Sequence, residues 1–181
     1  MEIRITTAQV LKVLQVFSWI IFLGLCIVAG SIASHATITL FIGSAGVAGT
    51  DYLSLLLQMD KTYFLVLTII MTIVAVFKAV MFYLIIKIFV SSKVKISQPF
   101  IPALRRFLVR QSSLALGIGL FSYAGFKYTL WLTQQGLPSA DLQSLNLSGA
   151  DVWMFMAVIL FLIAQLVQKG IEIQTDNDLT I

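Results

Sequence analysis

The sequence predicts an all-α integral membrane protein, with four transmembrane helices in an up-down-up-down antiparallel bundle and both termini on the cytoplasmic side. Three observations predict it. Hydrophobic residues make up 59% of the chain and charged residues only 11%, whereas a soluble domain is closer to half apolar and a quarter charged. Apolar runs of span length recur along the chain, and ~20 helical residues cross ~30 Å of hydrocarbon. The basic residues gather between those runs on one side, as cytoplasmic loops do.

The first span is expected over 13–34. No Asp, Glu, Lys or Arg occurs from Val13 to Thr50, while Arg4 and Lys12 precede that stretch and place the N-terminus inside. A cleaved leader is the competing reading, with a small-x-small site at Ser34-His35-Ala36. Cys26, Gly30 and Ser34 recur every four residues, as do Ala29 and Ala33. Such stripes allow close helix approach in lipid. A single cysteine permits no internal disulfide and no cysteine-rich metal site.

The outer stretch 35–62 is too apolar for a free loop. Gly43, Gly46 and Gly49 break it, and Tyr52 to Met59, bracketed by Asp51 and Asp60, reads as a short interfacial helix. The second span, 63–90, carries Lys87 near its inner end and Lys78 near its middle. Lys87 can snorkel to the headgroups. Lys78 is harder to place, since a charge at that depth costs at least ~2.5–3.5 kcal/mol unless something relieves it. Ser122 and Tyr123 of the third span lie at comparable depth and could accept a hydrogen bond, giving an intramembrane polar site of Lys78, Ser122 and Tyr123; freed carbonyls or a trapped water could serve as well.

The basic inner loop, 91–110, carries Lys93, Lys95, Arg105, Arg106 and Arg110 and no acid. Ser97, Pro99 and Pro102 mark a helix start within it. The third span is expected over 111–133. Ser113 with Gly117, and Ala115 with Gly119, put small residues four apart, so this helix belongs in the crowded middle of the bundle. Lys127, Tyr128 and Trp131 are interfacial anchors at its outer end. A polar outer loop follows over 134–150, after which Lys127 is placed to pair with Asp151. The fourth span, 151–169, runs from Trp153 to Lys169. Gly170 is positioned as a helix C-cap, and the cytoplasmic tail 170–181 ends the single membrane domain, 1–181.

The charge distribution checks this map. Arg4, Lys12, Lys87, Lys93, Lys95, Arg105, Arg106, Arg110 and Lys169 fall inside, Lys61 and Lys127 outside, and Lys78 within the membrane, which accounts for all 12 basic residues. The net charge of +4 therefore sits at membrane edges, where anionic lipid is the natural partner, and no direct nucleic-acid binding is expected. His35 with Asp51, Asp60, Asp141 and Asp151 could form a metal or acid-base site outside, but nothing in their spacing demands it. No GxSxG, HExxH or P-loop occurs, so the expectation is a protein that is not an enzyme and has no cofactor.

Two stretches carry a resemblance. The inner loop reads QPFIPALRR, and the chain ends QKGIEIQTDNDLTI. Both resemble the bacterial membrane proteins catalogued as domain of unknown function 2975, which have about four spans and a C-terminus close to DNDLT plus an aliphatic residue. Many members are encoded beside a small helix-turn-helix regulator of the Cro/repressor type. The resemblance implies a multi-pass protein of the cytoplasmic membrane, a membrane anchor or sensor for such a regulator. The partner-binding residues are then Arg105, Arg106 and Arg110 of the loop with Glu172, Asp176 and Asp178 of the tail. Folding of that tail back onto the same arginines is the intramolecular alternative. A possible homo-oligomer stays open, and the other functional reading is a small transporter or channel component using Lys78 on a polar path for an anion.

Overall fold

The computed structural model describes residues 7–42, 51–90 and 101–178. All of its regular structure is helical: α1 Thr7–Ile42, α2 Asp51–Met59, α3 Lys61–Val90, α4 Pro102–Gln134 and α5 Ala150–Asp178. Ser97, Pro99, Lys93 and Lys95 lie outside the described residues. Three of the helices are long and apolar enough to cross a membrane, over Lys12–Thr39, Lys61–Ile88 and Ala150–Asp176. The expected third span lies in α4, a helix of 33 residues. It is long enough, but its glycines, serines and arginines leave it less apolar than the other three.

Local chemistry sets the helix ends. Asp60 caps α3, its Oδ1 accepting the Thr62 N–H at 2.7 Å. Pro102 opens α4 behind an extended Ile101, where the missing N–H costs nothing. The far end of α4 closes with Gly136 at φ +97. The Leu137 N–H donates to Leu132 O and the Gly136 N–H to Thr133 O, the paired bonds of a Schellman cap. Its accompanying apolar contact is present too, since Leu132 and Leu137 are buried in one cluster.

The main packings run in chain order: α1 on α3, α3 on α4, α4 on α5, with α2 laid on α3. Adjacent helices α3 and α4 are antiparallel, since Tyr63 meets Trp131, Phe77 meets Phe121 and Gln111 Nε2 donates to Met81 O. Helices α4 and α5 are antiparallel as well. Ser112 Oγ donates to Ala157 O at 2.9 Å, and Leu108 packs with Ala164 and Val167.

α4 occupies the crowded middle that its small residues predict. An ideal Cβ on Gly117 would lie 2.7 Å from Phe77 of α3, and one on Gly119 would lie 2.6 Å from Met154 of α5. The stripe on α1 behaves differently. Around Gly24 and Gly30 nothing lies within 4 Å, and Cys26 is exposed. Instead α1 leans on α3 through Ser18, Ile32 and Thr39, with Phe22 against Tyr83. Its other faces, with Phe17, Ile20 and Ile27, are exposed and apolar, as are Phe155, Val158, Leu162 and Leu166 of α5. Lipid is the solvent that such faces require.

Two expectations are corrected. The stretch 134–150 is not an ordinary polar loop, because Leu145 is 0% and Leu147 1% exposed and both join the core of α3 and α4. Nor does Gly170 end the last helix. α5 continues through it to Asp178, because Ile171 still packs on the cluster around Leu108.

Candidate functional site

The connection 135–149 doubles back along α4. The Leu147 side chain abuts Gly125, and the Ala150 carbonyl lies 3.1 Å from an ideal Cβ on Gly119. From Gln134 to Gly119 is 15 residues, so α5 begins about 22 Å down from the end of α4, at ~1.5 Å per residue. Inside this return, Asp141 organises one turn of chain. Its carboxylate accepts the Gln143 N–H at 3.0 Å and the Ser144 N–H at 3.3 Å. The turn is closed by Asn146 at φ 57, with the Asn146 N–H on Gln143 O and the Leu147 N–H on Leu142 O. Asparagine tolerates that left-handed conformation better than most residues.

That cap presents a carbonyl to Lys78. Its Nζ donates to Asn146 O at 3.0 Å and stands 5.8 Å from the centre of the Trp153 ring, within cation–π range. The mid-helix lysine is thus held by the returning segment and the first turn of α5. Ser122 is fully buried, but its Oγ has no hydrogen-bond partner, so the expected bond from Lys78 is not made there; a backbone carbonyl takes it instead. Tyr123 does not join them. It is 45% exposed and lies under Lys127, 5.6 Å from its Nζ. One residue along a helix is about 100° around it, so neighbours in sequence face different ways. The same return displaces the expected partner of Lys127, because Asp151 starts α5 at the level of Gly119 rather than beside Lys127.

At the other end, α4 begins with Arg105 and Arg106 beside the last turns of α5. Arg105 is half-buried, its Nε is buried without a partner, and it lies within electrostatic reach of Glu172. Arg106 Nε reaches back to Pro102 O at 3.4 Å, and Arg110 is exposed. Glu172 is engaged on its own helix, by Lys169 Nζ at 3.1 Å and Gln168 Nε2 at 3.0 Å. Asp176 and Asp178 ride on the helical continuation of α5. The candidate metal residues stand apart from one another in role. Asp60 caps α3 and Asp141 its own turn, while His35 Nδ1 is buried without a partner. Among the described residues no group of three His, Cys, Asp or Glu is placed to hold a metal.

The residue that composition alone did not single out is Asn146. The signal for it was present: turn formers alternate with Leu137, Leu142, Leu145 and Leu147 across the connection.

Long apolar helices with greasy outward faces, and polar groups turned inward between them, define a helical membrane protein. Residues 50–181 match the family described as protein of unknown function (DUF2975). That is most of the chain, and the protein belongs to this family; α1 precedes the matched residues. No curated protein and no solved structure is detectably similar.

Proposed function

We propose that this chain is a non-enzymatic, multi-pass protein of the cytoplasmic membrane that anchors a small helix-turn-helix regulator at its cytoplasmic end. In this reading α4 is the third of four spans. It tolerates its glycines and serines in the membrane because α3 and α5 cover them. Both termini then face the cytoplasm, and Arg105, Arg106 and Arg110 lie at the inner membrane edge.

One observation supports the docking role above the others. α5 carries on as helix to Asp178, so Glu172, Asp176 and Asp178 are borne on a preformed rod beyond Lys169. A preordered acidic segment loses less conformational freedom on binding a basic surface than a loose tail would. The ion pair between Lys169 and Glu172 is solvent-exposed, and such pairs yield readily to a competing partner. The regulator itself comes from the family resemblance. Lys78 supports an anchor or sensor better than a transporter, because the Asn146 carbonyl and the Trp153 ring hold its ammonium at one fixed place in the bundle.

The test uses a purified helix-turn-helix regulator of the Cro/repressor type from the same cell and the detergent-solubilised full-length chain. The two are expected to co-elute in gel filtration, and deletion of 175–181 is expected to release the regulator while membrane insertion persists. Separate elution of the two intact proteins would overturn the proposal.

A further inference from the structure

Lys78 and the start of α5 bring two positive potentials together. The first N–H groups of a helix have no intrahelical acceptors, and the helix dipole adds about half a positive charge there. Trp153, which the Lys78 ammonium faces, belongs to that first turn. Lys78 makes no ion pair among the described residues, and its one hydrogen bond, to Asn146 O, leaves N–H capacity on Nζ. Asp151, the acid of the first turn, is exposed.

Ser122 adds an independent observation. A helical serine or threonine commonly bonds the carbonyl one turn back, as Ser18, Thr68 and Ser113 do in this chain. Ser122 Oγ does not, and it is 0% exposed with no partner. It lies three residues from Gly119, which abuts Ala150 and Met154, and three from Gly125, which abuts Leu147. A side chain midway between those two contacts looks onto 147–150, the stretch that joins the Asn146 carbonyl to the first turn of α5.

We infer that this junction binds a monovalent anion of halide size, held by the Lys78 ammonium, the Ser122 hydroxyl and the first free N–H groups of α5. The class follows from charge and room. One ammonium is offset by one negative charge. Close contacts at Gly119 and Gly125 bound the junction on two sides, so a bulky polyatomic anion such as sulfate or phosphate would have to part α4 from α5. Bound there, the anion ties the returning segment to α3 and α5 at once, so halide concentration sets how firmly that segment is seated. This inference is independent of regulator docking and concerns the opposite half of the molecule.

The probe is bromide, read by tryptophan fluorescence. Trp19→Phe and Trp131→Phe leave Trp153 as the only tryptophan of the original 3. In the detergent-solubilised full-length chain at constant ionic strength, with gluconate as the balancing ion, bromide is expected to quench Trp153 saturably. Chloride is expected to relieve that quenching by competition. Lys78→Met should abolish the saturable phase. Ser122→Ala should weaken binding about tenfold, the worth of one hydrogen bond to a charge, while Tyr123→Phe should leave it unchanged. Strictly linear quenching in the parent would overturn the inference, as would a saturable phase unaltered by Ser122→Ala, which decides the matter if Lys78→Met does not fold.

Discussion

Alanine at Gly30 should stabilise the protein, and alanine at Gly119 should not. Each substitution removes a glycine from a helix interior, which by itself favours the helix by about 1 kcal/mol. At Gly30 nothing lies within 4 Å of the new methyl, so that gain is expected whole. At Gly119 the methyl would sit 2.6 Å from Met154 Cγ and 3.1 Å from both Ala150 O and Met154 N. The methionine side chain can swing aside; the two backbone atoms move only if the first turn of α5 moves. Overpacking of that kind costs typically about 1–3 kcal/mol, enough to cancel the gain or reverse it. The two variants should therefore differ by about 1–3 kcal/mol, Gly30→Ala above wild type and Gly119→Ala at or below it. SDS-induced unfolding in mixed micelles, followed by circular dichroism, measures the difference. Gly119→Ala as stable as Gly30→Ala would refute the close approach of α4 and α5. Gly30→Ala less stable than wild type would show that this face of α1 is covered by something beyond the chain.

The Asn146 backbone carbonyl, not its side chain, holds Lys78, so Asn146→Gly should unfold at the wild-type midpoint. Asn146→Ala should lose about 1 kcal/mol, the cost of a left-handed alanine, in the same unfolding assay. Removing the ammonium with Lys78→Met should loosen the returning segment specifically. Hydrogen exchange at the amides of 141–149 should then quicken by about tenfold, as expected for the loss of one charged hydrogen bond, with the α3 and α4 core unchanged.

Much of the helical layout was legible in the sequence, because each feature there answers to local spacing. The short helix at Tyr52, the start at Pro102 and the central place of α4 follow from bracketing acids, a ring-fixed φ and small residues four apart. What local spacing cannot carry is the level at which one element meets another. Turn formers at Gly136, Pro138, Asp141 and Asn146 imply an exposed loop when counted alone. The leucines between them matter only once a neighbouring groove exists to receive them. The expected pairing of Lys127 with Asp151 failed for that reason, since it assumed that α5 starts where α4 stops. Depth alone groups Tyr123 with Lys78, yet its direction around the helix takes it to Lys127. Gly170 fits a helix stop by propensity, but Ile171 gains more from packing near Leu108 than the glycine loses. At the other pole, the positions of Arg105 and Glu172 were readable as an end of the molecule, though not the local engagement of Glu172 with Lys169 and Gln168.

The doubling-back of 135–149 has a practical corollary for anyone labelling the protein. Connections between membrane helices are the habitual place for epitopes and fluorophores, and here that connection buries three leucines, Leu137, Leu145 and Leu147. An inserted tag near Leu145 or Leu147 would evict the leucines that seat the last helix. The exposed bend at Gly136, Pro138 and Ser139 is the better handle, a few residues wide.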